Sequence, residues 1–110
     1  MPGRYARIDP QQAHQLMQAP VCIVDIRDPQ SFQAGHIRGA THLSNDNLSE
    51  FLSHQARNQP VLVCCYHGNS SQGAAQFLAE QGFETTYSLN GGFSQWSIEF
   101  PDQCAQGASE

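Results

Sequence analysis

Five short runs of apolar and β-branched residues set the rhythm of the chain: "YARI" (5–8), "VCIVDI" (21–26), "ATHLS" (40–44), "PVLVCC" (60–65) and "TTYSL" (85–89). Each is followed by a segment with helical signals. "VCIVDI" and "PVLVCC" are continuous rather than alternating, the pattern of strands buried on both faces. Strands that alternate with helices pair in parallel through right-handed crossovers. The expected fold is therefore α/β: a three-layer α/β/α sandwich around a five-stranded parallel sheet.

The helical segments carry their own start and stop signals. Asp9 is a predicted N-cap with Pro10 at the first helical position, opening "PQQAHQLMQA" (10–19) before Pro20. Asp28-Pro29 repeats the device for "PQSFQAG" (29–35), which ends on Gly35. In "SNDNLSEFLSHQA" (44–56), Leu48, Phe51 and Leu52 recur at helical spacing. "SQGAAQFLAEQ" (71–81) packs through Ala74, Ala75, Phe77, Leu78 and Ala79, with Gly82 as its C-cap. "GGFSQWSIEF" (91–100) is a last helix broken by Pro101. The polar tail "DQCAQGASE" (102–110) is expected to fray. The 110 residues make one domain, with an ordered core over about 4–101.

Charge removes some functions. The net charge is −5, from ten acids against five arginines and no lysine, so no nucleic-acid partner is expected. An anionic substrate must be attracted locally, because the overall field opposes it. No apolar run is long enough for a membrane helix, and "MPGRYARIDP" has no apolar signal region, so the expected location is the cytoplasm. In that compartment Cys22, Cys64, Cys65 and Cys104 are not expected to form stable disulfides. No C-x-x-C occurs and the histidines lack ligand spacing, so no metal is expected.

The thiols call for another account. Cys65 ends a buried strand, and ligands of parallel sheets bind outside the carboxyl ends of strands. The helix near Ser71 opens with unpaired N–H groups and the positive end of its dipole. A loop folded back over that terminus makes an anion-binding nest, with Gly68 supplying conformational freedom. A thiol at its centre ionises easily. Cys65 is thus the candidate nucleophile, whereas Cys64, one residue back, faces the opposite way and packs in the core. Around it, Tyr66, His67, Gly68, Asn69, Ser70 and Ser71 are candidate substrate-binding residues, chiefly through their backbone N–H groups. His67 positions an anion or is merely exposed. Ser71 donates its hydroxyl to a substrate oxygen or caps the helix. His36 is expected to anchor the turn after the second helix, and Phe93 and Trp96 the last helix. Cys22 reads as core, and Cys104 as an incidental thiol of the tail.

Three motifs in order make the chain resemble a single-domain rhodanese, a thiosulfate sulfurtransferase, over nearly its whole length. "VDIRDPQSFQAGHIRGATHL" is similar to the family's N-terminal signature through Asp25, Arg27, Gly35, His36, Ile37, Gly39 and Ala40. "LNGGFSQW" (89–96) is similar to its C-terminal signature, and "CYHGNSS" (65–71) resembles the loop of the bacterial GlpE-type enzymes. The resemblance implies a double displacement. Cys65 takes the outer sulfur of thiosulfate as a persulfide, then passes it to cyanide or to a dithiol such as thioredoxin. It implies no metal or organic cofactor, and structural roles for Asp25 and Arg27 beside the site.

Two other functions share such a fold. A cysteine-dependent phosphatase needs Cys-x5-Arg, whose arginine clamps phosphoryl oxygens. Here the sixth residue after Cys65 is Ser71, and no arginine or lysine follows Arg57. A non-catalytic binding module of this family usually lacks the nucleophile, which this chain has.

Overall fold

Each of the five apolar runs becomes a strand of one sheet in the computed structural model, which describes residues 4–107. The strands are β1 (Ala6–Ile8), β2 (Cys22–Asp25), β4 (Thr41–His42), β5 (Val61–Cys64) and β6 (Thr86–Leu89). A further two-residue strand, β3 (His36–Ile37), lies between β2 and β4 in the chain and outside this sheet. The order across the main sheet is β1-β6-β5-β2-β4, and every pairing is parallel. β5 is thus central, with Val63 facing Val24 on one side and Ser88 on the other. A strand flanked on both edges and covered on both faces has no use for polar alternation, which is why "VLVC" is apolar throughout.

The helices are α1 (Pro10–Leu16), α2 (Pro29–Ala34), α3 (Leu48–His54), α4 (Ser70–Glu80) and α5 (Gly92–Glu99). Two of the expected caps are visible in the hydrogen bonds. Gln12 accepts from the Asp9 N–H at 2.9 Å, and Asp28 accepts from the Ser31 N–H at 3.0 Å. Both helices begin with a proline, whose missing N–H costs nothing at that position.

The period of two along β5 divides the core. Leu62 and Cys64 join Ile23, Phe32, Leu89 and Trp96 beneath α1, α2 and α5. Val61 and Val63 join Val24, Ala75, Leu78 and Phe83 beneath α3 and α4. Helices cover both faces, giving the three layers.

The tail departs from the expectation. Instead of fraying after Pro101, the chain forms a 3₁₀ turn (Pro101–Gln103) and a strand, β7 (Cys104–Ala105), antiparallel to β3. Ordered structure therefore continues past residue 101, and the Gly107 N–H still donates to the Gln33 carbonyl at 2.9 Å. The polar composition concealed this because the pairing is made by backbone, with Trp96 Nε1 donating to the Gln103 carbonyl at 3.3 Å. The end of that tail, residues 108–110, lies outside the described residues.

Candidate active site

The site begins where β5 stops. Cys64 is the last residue of the strand, fully buried on the α1/α2/α5 face. Cys65 follows with the opposite parity, so its sulfur turns toward α4. Residues 65–69 form the loop, and α4 starts at Ser70 with Asn69 as its N-cap residue. The expectation of Ser71 as a helix cap gives way here: it lies inside the first turn, and its hydroxyl is turned to the sulfur.

Two amides and a hydroxyl converge on Cys65 Sγ. The Gly68 N–H donates at 3.1 Å and the Ser71 N–H at 3.3 Å. Ser71 Oγ lies 3.3 Å away, accepting from the thiol or donating to the thiolate. The His67 N–H on the same side of the sulfur further favours the thiolate. Burial pushes the thiol up, and these hydrogen bonds together outweigh it, leaving Cys65 below the ordinary thiol value. Its neighbour shows the contrast. Burial, with the Asp25 carboxylate, pushes Cys64 well above that value. Two adjacent cysteines therefore have opposite chemistry, set by which face of the strand each occupies.

A loop whose N–H groups point inward must satisfy its carbonyls elsewhere, and the start of α5 does this. The Phe93 N–H donates to the Cys65 carbonyl at 2.8 Å, and the Ser94 N–H to the Tyr66 carbonyl at 3.1 Å. The approach is so close that a Cβ on Gly92 would lie 2.5 Å from three backbone atoms of Cys65 and Tyr66. Gly68 is similarly confined: at φ +91°, its Cβ would meet Gly91 N at 2.9 Å. The second half of the loop is tied to α4 itself, where Gln72 Nε2 donates to the Gly68 carbonyl at 2.9 Å.

On the other flank, Arg27 and Asp25 form a buried pair with Nη2 2.7 Å from Oδ2 and Nε 3.0 Å from Oδ1. The guanidinium lies 4.4 Å from the Phe93 ring centroid and 5.7 Å from that of Tyr66. Tyr66 is exposed, its hydroxyl bonded to Asp28 and Ser31. The side chains of His67, Asn69 and Ser70 are exposed as well.

The structure thus gathers Cys65, Gly68, Ser71 and the His67 N–H around one sulfur, with Tyr66, Asp25 and Arg27 alongside. His36 stands apart from this cluster. It is buried in β3, stacked on Phe32 at 3.9 Å, with Nδ1 2.7 Å from the Phe32 carbonyl. Three contributors escaped the sequence reading. Asp28 and Ser31 hold Tyr66, which nothing in their spacing announces. Ser88, on β6, lies 2.7 Å behind Ser71 Oγ. Thr86 and Ser88, two apart in a buried strand, were the available signal, since buried hydroxyls need partners.

Comparison with known proteins agrees with this geometry. Residues 9–99 match the model of the rhodanese-like domain. A thiosulfate sulfurtransferase GlpE of Ectopseudomonas mendocina is 53% identical over 108 residues, covering 98% of this chain and 99% of that protein. A protein of the same name from Pseudomonas entomophila is 49% identical over 108 residues, with the same coverage of each chain. The solution structure of a rhodanese-like domain from Anabaena superimposes with a TM-score of 0.81 at 20% identity, covering 96% of this chain and 82% of that one. With a cysteine-centred loop at the end of the central parallel strand and a match over nearly the full length, the chain belongs to the rhodanese family.

Proposed function

We propose that the protein is a thiosulfate sulfurtransferase acting through a persulfide on Cys65. The observation that carries this reading is the ring of N–H and hydroxyl donors on a sulfur that has no cationic side chain in its loop. Such a ring stabilises a thiolate without permanently neutralising it, which leaves the sulfur nucleophilic.

In the first half-reaction the Cys65 thiolate attacks the outer sulfur of thiosulfate. A new S–S bond forms as the old one breaks, and sulfite departs with the electron pair, as in thiol–disulfide exchange. The terminal sulfur of the persulfide carries the negative charge, and the amides of residues 66–71 are the groups available to receive it. In the second half-reaction a thiophilic acceptor attacks that terminal sulfur and Cys65 leaves as thiolate. Cyanide would depart as thiocyanate. A dithiol such as reduced thioredoxin would take the sulfur on one thiol, then expel it as hydrosulfide while closing its own disulfide. Support for the family's assignment of Tyr66, His67, Asn69 and Ser70 to the substrate side comes from their exposure around the sulfur. Asp25 and Arg27 support the loop from beneath, and His36 holds the α2–β3 turn. The free thiols of Cys22, Cys64, Cys65 and Cys104 favour the cytoplasm as the place of action. No helix among the described residues is long and apolar enough to cross a membrane.

The phosphatase reading meets a physical obstacle. Its arginine would occupy position 71, which here holds a fully buried serine folded against the sulfur. Steady-state assays separate the two. Thiosulfate and cyanide should yield thiocyanate and sulfite, while an aryl phosphate should not turn over. The reverse outcome would overturn the assignment.

A further inference from the structure

Ser88 is a buried hydroxyl with no part in the reaction as described above. It lies on β6 at 0% exposure, two residues beyond Thr86 and on the same side of the strand. Thr86 donates to the Ala75 carbonyl at 3.0 Å, an ordinary tie between strand and helix. Ser88 makes no such tie. Its Oγ lies 2.7 Å from Ser71 Oγ, which is 3.3 Å from Cys65 Sγ. Among the described residues the Ser88 hydroxyl meets no other hydrogen-bonding group. Thiol, first hydroxyl and second hydroxyl form a row whose two hydroxyls are shut off from water, both serines being at 0% exposure.

The proton count along this row depends on the state of the sulfur. With a protonated thiol, three protons serve two links. The S–H points to Ser71, the Ser71 hydroxyl points to Ser88, and the Ser88 hydroxyl points at nothing. With a thiolate, two protons serve two links: Ser88 donates to Ser71, and Ser71 donates to sulfur. In the thiolate row both hydroxyls donate toward sulfur, and the bond from Ser88 polarises the Ser71 hydroxyl and strengthens its bond to the thiolate; without Ser88 the Ser71 hydroxyl still donates, but more weakly.

We propose that Ser88 is a positioning residue for sulfur transfer, orienting and polarising the Ser71 hydroxyl so that it donates to the Cys65 thiolate. The proposal rests on Cys65 being the nucleophile, and its test reads ionisation rather than turnover. The test is the rate of iodoacetamide alkylation at Cys65, located by peptide mass, as a function of pH. It compares wild type, Ser88→Ala, Ser71→Ala and the double variant. Ser88→Ala should raise the midpoint by about 0.5–1 pH unit while leaving the high-pH plateau unchanged. Well below the midpoint, alkylation should slow about 3–10-fold. In the Ser71→Ala background, Ser88→Ala should move the midpoint no further, because the row is already cut. An unmoved midpoint in Ser88→Ala would overturn the proposal, and so would an equal shift with and without the Ser71 hydroxyl. If Ser88→Ala does not fold, Ser88→Cys keeps the bulk with a weaker donor. Its midpoint should rise in the same direction, and an unmoved one overturns the proposal. The expected midpoints together with absent thiosulfate turnover in wild type would uphold the row and overturn the sulfurtransferase reading.

Discussion

Gly92→Ala tests whether the start of α5 sets the shape of the sulfur-binding loop. The glycine has φ +59°, and its missing Cβ would lie 2.5 Å from Cys65 O, Tyr66 C and Tyr66 O. Contacts under 3.0 Å essentially never occur at real Cβ atoms, and all three obstacles are backbone. Either the helix or the loop must therefore retreat. Retreat weakens the hydrogen bonds from Phe93 N–H and Ser94 N–H, each contributing about 0.5–1.5 kcal/mol. Left-handed backbone at a non-glycine adds about 1 kcal/mol of strain. Together the loss is about 3 kcal/mol, a fall of roughly 10 °C or more in Tm for a domain of this size. If the loop yields instead, its N–H groups shift off the sulfur, and sulfur transfer should fall by about 100-fold. The control is Gly73→Ala on α4, where a Cβ meets nothing within 4 Å. That change should be neutral or stabilising by about 0.5–1 kcal/mol. Thermal unfolding and thiocyanate production read both effects. A Gly92→Ala protein as stable and as active as wild type would refute the reasoning.

Other consequences follow from the same contacts. Alkylation at neutral pH should modify Cys65 first and Cys64 last, because burial pushes Cys22 to about 11 and Cys64 well above the ordinary thiol value. The Cys65 midpoint should lie below that of an ordinary free thiol. Because the folded state lowers that pKa, Cys65 adds stability as pH rises from its folded midpoint to the free-thiol value, and the gain is lost on acidification; denaturant melts of wild type and Cys65→Ser across that window read the difference. Cys22 and Cys64 act oppositely, so their contribution is lost as pH climbs above the free-thiol value. Arg27→Ala should cost about 3–5 kcal/mol, since it strands the Asp25 carboxylate at 0% exposure; a near-neutral denaturant melt would contradict this. Truncation after Pro101 removes the β3–β7 pairing and the Trp96–Gln103 hydrogen bond, and should lower Tm measurably while leaving the Cys65 hydrogen bonds intact.

Periodicity made most of this architecture legible. "VCIVDI" and "VLVC" could only be covered strands, and Asp-Pro pairs marked two helix starts to the residue. The same period of two separates Cys64 from Cys65 by sequence alone. Backbone pairing without a side-chain signature was not legible, which is why β7 emerged from a segment that reads as polar tail. Long-range hydrogen bonds were equally hidden. Ser71 and Ser88 are seventeen residues apart, and the packing of α4 on β6 brings their hydroxyls together. The sequence also gave no hint that the loop's carbonyls are held by α5, although "GG" before Phe93 is the footprint of that close approach.

The central claim is that Cys65, not Cys64, carries the transferred sulfur. Intact-protein mass after incubation with thiosulfate tests it directly. Wild type and Cys64→Ser should each gain one sulfur atom, which cyanide then removes, and Cys65→Ser should gain none. A gain that survives in Cys65→Ser and disappears in Cys64→Ser would contradict the account.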